Sequence, residues 1–168
     1  MPNYLLITLG LLLLPSAASA ASGLYNFLKD VESDKVAKLT AYQDTGGVWT
    51  IGFGSIYNFD LNRRVRQGDT ITLEQANRYL KLEADKCLNL VKQFVKVPLT
   101  KNQTIALASF IYNCGETAFK NSTLLKLINS KANRSQIESE FRKWLYDEGR
   151  FIQGLLNRRN AEIELFYS

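Results

Sequence analysis

Three acids stand within "VESDKVAKLTAYQDTGGVWTIGFGS", residues 31–55: Glu32, Asp34 and Asp44. The 168 residues contain no histidine and two cysteines, Cys87 and Cys114. That composition excludes His-based triads and the ordinary Cys–His nucleophile. It also leaves too few ligands for a four-coordinate zinc site. The strip does offer two carboxyls on separate elements, Glu32 ending a helix and Asp44 ending a strand, with Thr50 across the turn. Such a pair suits glycoside hydrolysis: one carboxyl delivers a proton to the leaving oxygen, and the other, ionised, activates water or attacks the sugar. A carboxyl beside Phe27 and Val31 can have its pKa raised by desolvation, as an acid needs. By pattern alone the same acids also read as solvated surface groups.

The elements that must hold these groups follow from periodicity. Leu24, Phe27, Leu28 and Val31 recur at helical spacing, which predicts an amphipathic helix over 23–32. "LTAYQD" and "VWTIGFG" read as strands around a "TGG" turn, giving a β-hairpin over 39–54. Alternation puts Trp49, Ile51 and Phe53 on a bulky face and Thr50, Gly52 and Gly54 on the other, an open shelf for a ligand. Thr72 with Gln75, and Thr100 with Gln103, resemble capping boxes that open helices running to Val95 and to Gly115. Further helical stretches are expected near 122–130, 134–147 and 154–166. The class is α+β, with the strands segregated near the N-terminus.

The N-terminus carries a separate message. No charged side chain precedes Lys29, and residues 4–14 form an apolar run of 11 before Pro15 and "SAASA". That run is too short to span a bilayer as a helix. It has the length of a secretory h-region, with Ala18-Ser19-Ala20 in the A-x-A form of a cleavage site. Cleavage after Ala20 is expected; the other reading keeps residues 4–24 as a releasable signal anchor with transient membrane association. The net charge of +5 favours anionic partners such as cell walls, and export makes nucleic acid the poorest of them.

The same residues carry a family resemblance. "LTAYQDTGGVWTIGFGS" resembles the active-site hairpin of phage-type lysozymes, glycoside hydrolase family 24. "VRQGDTITLEQANRYL", "VPLTKNQTIALASFIYNCGETAFKNSTLLKLIN" and "FRKWLYDEGRFIQGLLNRRNAEIELF" resemble, in order, its hairpin-to-helix link, its central helix and its C-terminal Trp/Gly/Arg-Arg signature. The resemblance implies a two-lobed fold over 21–168, with a β lobe near 33–70 and an α lobe of 71–168 plus helix 23–32. It implies a monomeric muramidase acting on peptidoglycan glycan strands by inversion, without metal or organic cofactor. Glu32 is then the general acid, Asp44 the opposing carboxylate and Thr50 the group positioning water, with Gly52, Gly54, Tyr112 and Asn113 lining the cleft.

The strip departs from the family in two places. The family sets its Glu nine residues before its Asp, and here that position is Lys35. Placing three extra residues within "SDKVAK" restores Glu32, whose preceding apolar stripe stops at Val31; Lys35 and Asp34 are the competing registers. Ser55 replaces a histidine that usually follows G-x-G, removing an ion pair common in the family. Cys87 and Cys114 lie on segments that face each other in such a fold, so a disulfide is expected in an oxidising compartment. Two alternatives to a lytic enzyme remain: a pseudo-lysozyme that binds peptidoglycan without cleaving it, and an exported antibacterial effector using the same chemistry.

Overall fold

A computed structural model describes residues 17–31, 36–44, 46–147 and 149–168. Helix α1 (Ala17–Val31) comes first, followed by strands β1 (Lys38–Gln43) and β2 (Trp49–Gly52). Two short strands, β3 (Tyr57–Asn58) and β4 (Arg63–Arg64), complete the small lobe. The large lobe holds α2 (Leu73–Phe94), α3 (Lys101–Cys114), α4 (Glu116–Asn121), α5 (Thr123–Asn129), α6 (Arg134–Phe141) and α7 (Gln153–Phe166). A small hairpin, β5 (Tyr146–Asp147) with β6 (Arg150–Phe151), interrupts it.

Both expected capping boxes form. Thr72 Oγ1 accepts from Gln75 N at 3.1 Å while Gln75 Oε1 accepts from Thr72 N at 2.7 Å, and Thr100 with Gln103 does the same. Each box satisfies two N–H groups that a helix start would otherwise leave without partners. Gly115 closes α3 at φ +87°, a conformation open to glycine. Residues Ile105 to Ile111 of α3 are all buried, so α3 is the axis around which the other helices pack. Leu24 and Leu28 of α1, Leu107 and Phe110 of α3, Phe119 and Phe141 are each fully buried in one core. At Gly23, where α1 meets α3, a Cβ would stand 2.6 Å from Ile105 Cδ1, so a larger residue there would have to displace the end of that side chain.

Helix α2 joins the lobes. Its first turns give Ala76 and Tyr79 to a second cluster with Ile51, Val65 and Ile71, and its later turns give Leu80, Ala84, Leu88 and Val91 to the large core. The antiparallel β1–β2 pair carries a bulge between Lys38 and Tyr42. On its outer edge, β1 receives Ile71 N on Leu39 O at 2.9 Å and gives Ala41 N to Asp69 O at 2.8 Å.

Three sequence expectations need correction. The helix expected over 134–147 ends at Phe141, because the segment after it folds back as β5–β6 around Gly149 at φ +77°. The second hairpin strand ends at Gly52, whose φ of +66° breaks the extended run. Third, α1 begins six residues before the expected start at 23, so Ala20 and the expected cleavage point lie inside a continuous helix.

Candidate active site

The hairpin turn fixes Asp44. Its Oδ1 accepts from Val48 N at 2.8 Å and Gly46 N at 3.0 Å, and its backbone N–H donates to Val48 O at 3.0 Å. Such a side-chain-closed turn is what Asp followed by glycines forms. Both side-chain bonds engage Oδ1, so the carboxylate is oriented by backbone that the turn itself supplies. Thr50 is buried on β2 and donates to Val48 O at 3.0 Å.

Asp44 and Thr50 line one cleft of about 620 Å³ with Gly54, Tyr112, Asn113 and Trp144. It continues into a second compartment of about 680 Å³, which shares Asp44, Gly54, Tyr112 and Asn113 and adds Glu83, Cys87 and Arg64. The structure thus brings together five of the residues singled out in the sequence: Asp44, Thr50, Gly54, Tyr112 and Asn113. Glu32, with Asp34 and Lys35, lies outside the described residues; α1 delivers the chain to Val31, immediately before it.

The glycine shelf divides. Gly54, at φ +104°, has nothing within 4 Å of where a Cβ would stand, and it lines both compartments. The corresponding space at Gly52 is closed by Ile71 at 3.3 Å and Ala76 at 3.4 Å. Gly52 therefore lets β2 seat against α2, and the open shelf is Gly54 alone.

The large lobe holds the far wall through a buried ionic group. Glu162 is fully buried and accepts from Ser109 Oγ at 2.7 Å; it pairs with Arg158 at 3.2 Å and with Arg159 at 2.9 Å. Arg159, also fully buried, reaches on to Asn113 Oδ1 at 2.8 Å. A buried carboxylate is tolerable here because two guanidiniums match its charge; the hydrogen bonds fall on Oε1, while Oε2 faces Arg159 Nε at 2.9 Å as an ion pair without a hydrogen bond. Tyr112 OH donates to the Phe53 carbonyl at 2.9 Å, tying α3 to the hairpin across the cleft.

The expected disulfide is not formed: Cys87 and Cys114 are both free thiols. Cys114 Sγ accepts from Arg159 Nη1 at 3.1 Å, which commits that sulfur to the ionic group. Burial pushes the Cys87 thiol up to about 12 and raises Cys114 as well, so neither is a thiolate nucleophile near neutrality.

Sequence reasoning took Trp144 only as part of the C-terminal signature, not as a cleft residue, and missed Glu83. Trp144 lies in the segment read as helix, and its ring meets Phe110 edge-on at 5.3 Å. Glu83 had a signal: it is four residues from both Tyr79 and Cys87, on the buried stripe of α2. The apolar groove beside Ala20 and Ala21, about 630 Å³, shares no lining residue with the Asp44 cleft.

The phage lysozyme family profile matches residues 33–162. The chain belongs to the phage lysozyme family. It is 39% identical over 135 residues to an endolysin of Acyrthosiphon pisum secondary endosymbiont phage 1, covering 78% of this chain and 88% of that protein. A SAR-endolysin of Escherichia phage 933W is 34% identical over 163 residues, covering 92% and 89%. Among solved structures, an endolysin from Escherichia coli O157:H7 phage FAHEc1 superposes with TM-score 0.69 at 34% identity, covering 83% of this chain and 89% of that one. This phage lysozyme homologue is a muramidase for peptidoglycan lysis, and the matches favour that over a pseudo-enzyme or an effector.

Proposed function

We propose that this phage lysozyme homologue cleaves the β-1,4 bond between N-acetylmuramic acid and N-acetylglucosamine, with Glu32 as general acid and Asp44 as the carboxylate across the bond. The observation that carries the reading is the placement of Asp44 and Thr50 in one cleft with Gly54, Tyr112 and Asn113. Asp44, held through Oδ1, activates a water that Thr50 helps to position, and attack opposite the leaving group inverts the anomeric carbon. Glu32 follows the last helical residue of α1. The α1 core contacts through Leu24 and Leu28 hold the helix that ends at Val31, the residue before Glu32 in the chain. Glu32→Gln is expected to lower clearing of permeabilised Gram-negative cells by two to three orders of magnitude, roughly the contribution of general-acid catalysis. Lys35→Ala is expected to be mild; the reverse pattern moves the acid position.

The same reading includes export through the N-terminal segment, as a cleaved signal or as an anchor that leaves the membrane. No helix among the described residues is long and apolar enough to cross a membrane. Support comes from the SAR-endolysins among the relatives and from the packing of α1. Leu24 is fully buried against the large core, and residues up to 24 belong to the uncharged segment. That stretch cannot lie in a bilayer and fill the core at once. An anchored chain therefore lacks the packing of α1 on the large core, and leaving the membrane completes the fold.

A further inference from the structure

Glu83 is a carboxyl in the cleft that the proposed reaction does not use. It sits mid-way along α2, half-buried, with Oε1 2.8 Å from Ser55 Oγ. Ser55 is 2% exposed, and its Oγ also lies 2.9 Å from the Tyr57 carbonyl oxygen and 3.3 Å from the Tyr57 N–H. A serine hydroxyl owns one proton. It cannot donate to the Tyr57 carbonyl and to a Glu83 carboxylate together. With a proton on Glu83 the chain closes: Glu83 donates to Ser55 Oγ, Ser55 donates to Tyr57 O, and Tyr57 N–H donates to Ser55. With Glu83 ionised, one of the two acceptors loses its donor and bears the desolvation cost of a buried unpaired group.

We propose that Glu83, in its protonated form, clasps the hairpin corner at Ser55 to α2, and that it is a positioning residue for Gly54 and Thr50. The corner is a compact unit: Ile51 N donates to Ser55 O at 2.8 Å, Ser55 N to Ile51 O at 2.9 Å and Gly54 N to Ile51 O at 3.3 Å. Displacing Ser55 displaces the glycine that lines the cleft and the strand that carries Thr50. Burial pushes the Glu83 carboxyl up to about 7, with Lys86 pulling the other way; the Ser55 bond lowers that value if Ser55 donates and raises it if Glu83 does.

The surrounding charges are mixed. Lys86, one turn along α2, is 3.9 Å from Glu116 of α4. Arg64 of β4 and Asp44 face the compartment from the hairpin side, and Tyr112 and Cys114 from α3. Ionising Glu83 adds a negative charge to the compartment that Asp44 and Glu116 also line, turns the Ser55 hydroxyl from Tyr57 toward the carboxylate, and loosens the corner. Only the catalytic consequence rests on the muramidase reading; the protonation state stands apart from it.

The test follows the side-chain carboxyl carbon of Glu83 by NMR in protein labelled at glutamate, in wild type and in Ser55→Ala. The expected midpoint is about 7, and one at the ordinary 4.5 overturns the clasp. The sign of the Ser55→Ala shift is the sharper readout. If Glu83 donates to Ser55, the bond stabilises the neutral form and its loss lowers the midpoint; a rise shows that Ser55 donates to a carboxylate and overturns the proposal. For catalysis, KM on soluble glycan strands is compared below and above neutrality. Wild-type KM is expected to rise severalfold across that interval while Glu83→Gln, which keeps a donor, stays flat. A Glu83→Gln KM that rises as in wild type overturns the positioning role. A protein that cleaves no glycan contradicts the muramidase reading, and the titration still decides the clasp.

Discussion

Asp44 owes its orientation to two backbone N–H groups of a glycine turn, and Asn113 owes its own to Arg159. At this scale the site is a set of side chains each fixed by a neighbouring group of the protein. Glu83 gives a prediction for the folded state. Its folded value of about 7 lies above its ordinary 4.5, so the native protein binds the extra proton between those values. The associated stability is fully present below 4.5 and is lost as pH rises through about 7. Urea unfolding is expected to show a loss of about 2 kcal/mol over that interval, after allowance for partial exposure, with Glu83→Gln lacking that slope. An identical slope in the variant contradicts it. The structure brings Asp44, Thr50 and Gly54, expected at the cleft from turn chemistry, strand alternation and the family resemblance, together with Tyr112 and Asn113, expected there from the resemblance alone. Gly52 was misread, since alternation specifies which side of a strand a residue takes and says nothing of a helix packed closely on that side. Cys87 and Cys114 are free thiols rather than the expected disulfide, and the contact that engages Cys114, from Arg159, joins residues 45 apart and has no local signature in the chain.

Helices set the site through α1 and α2. Leu24 is fully buried where α1 meets the large core, and Glu32 follows the end of that helix. Leu24→Ala is expected to cost about 2–5 kcal/mol in chemical denaturation, the range for a large-to-small change in a packed core. It should also reduce wall clearing in proportion to the folded fraction. A cost below about 1 kcal/mol would show that α1 is dispensable to the core. The starts of α2 and α3 were readable to within a residue because capping boxes are local chemistry. The end of α6 was not, because the β5–β6 hairpin is stabilised by packing of Trp144 on Phe110, a contact between residues 34 apart. Helix α4 was missed for another reason: six residues between Gly115 and Ser122 are too few to establish a period.

As a whole the molecule is two lobes on one bridging helix, with the cleft between the hairpin and α3. Its first 28 residues are uncharged, yet α1, from Ala17, is part of the folded body. N-terminal sequencing of protein recovered from the cell envelope separates the two routes of export: Ala21 marks cleavage, and an intact Met1 on membrane-associated protein marks a releasable anchor. Protein confined to the cytosol of cells with working secretion contradicts both. The central claim is a glycosidase with Glu32 as its acid. Digestion of purified peptidoglycan by the full chain, followed by reduction and mass analysis of the new chain ends, tests it most directly. The expected result is reducing N-acetylmuramic acid ends from wild type and almost none from folded Glu32→Gln. Reducing N-acetylglucosamine ends, or undiminished release by Glu32→Gln, would contradict the account.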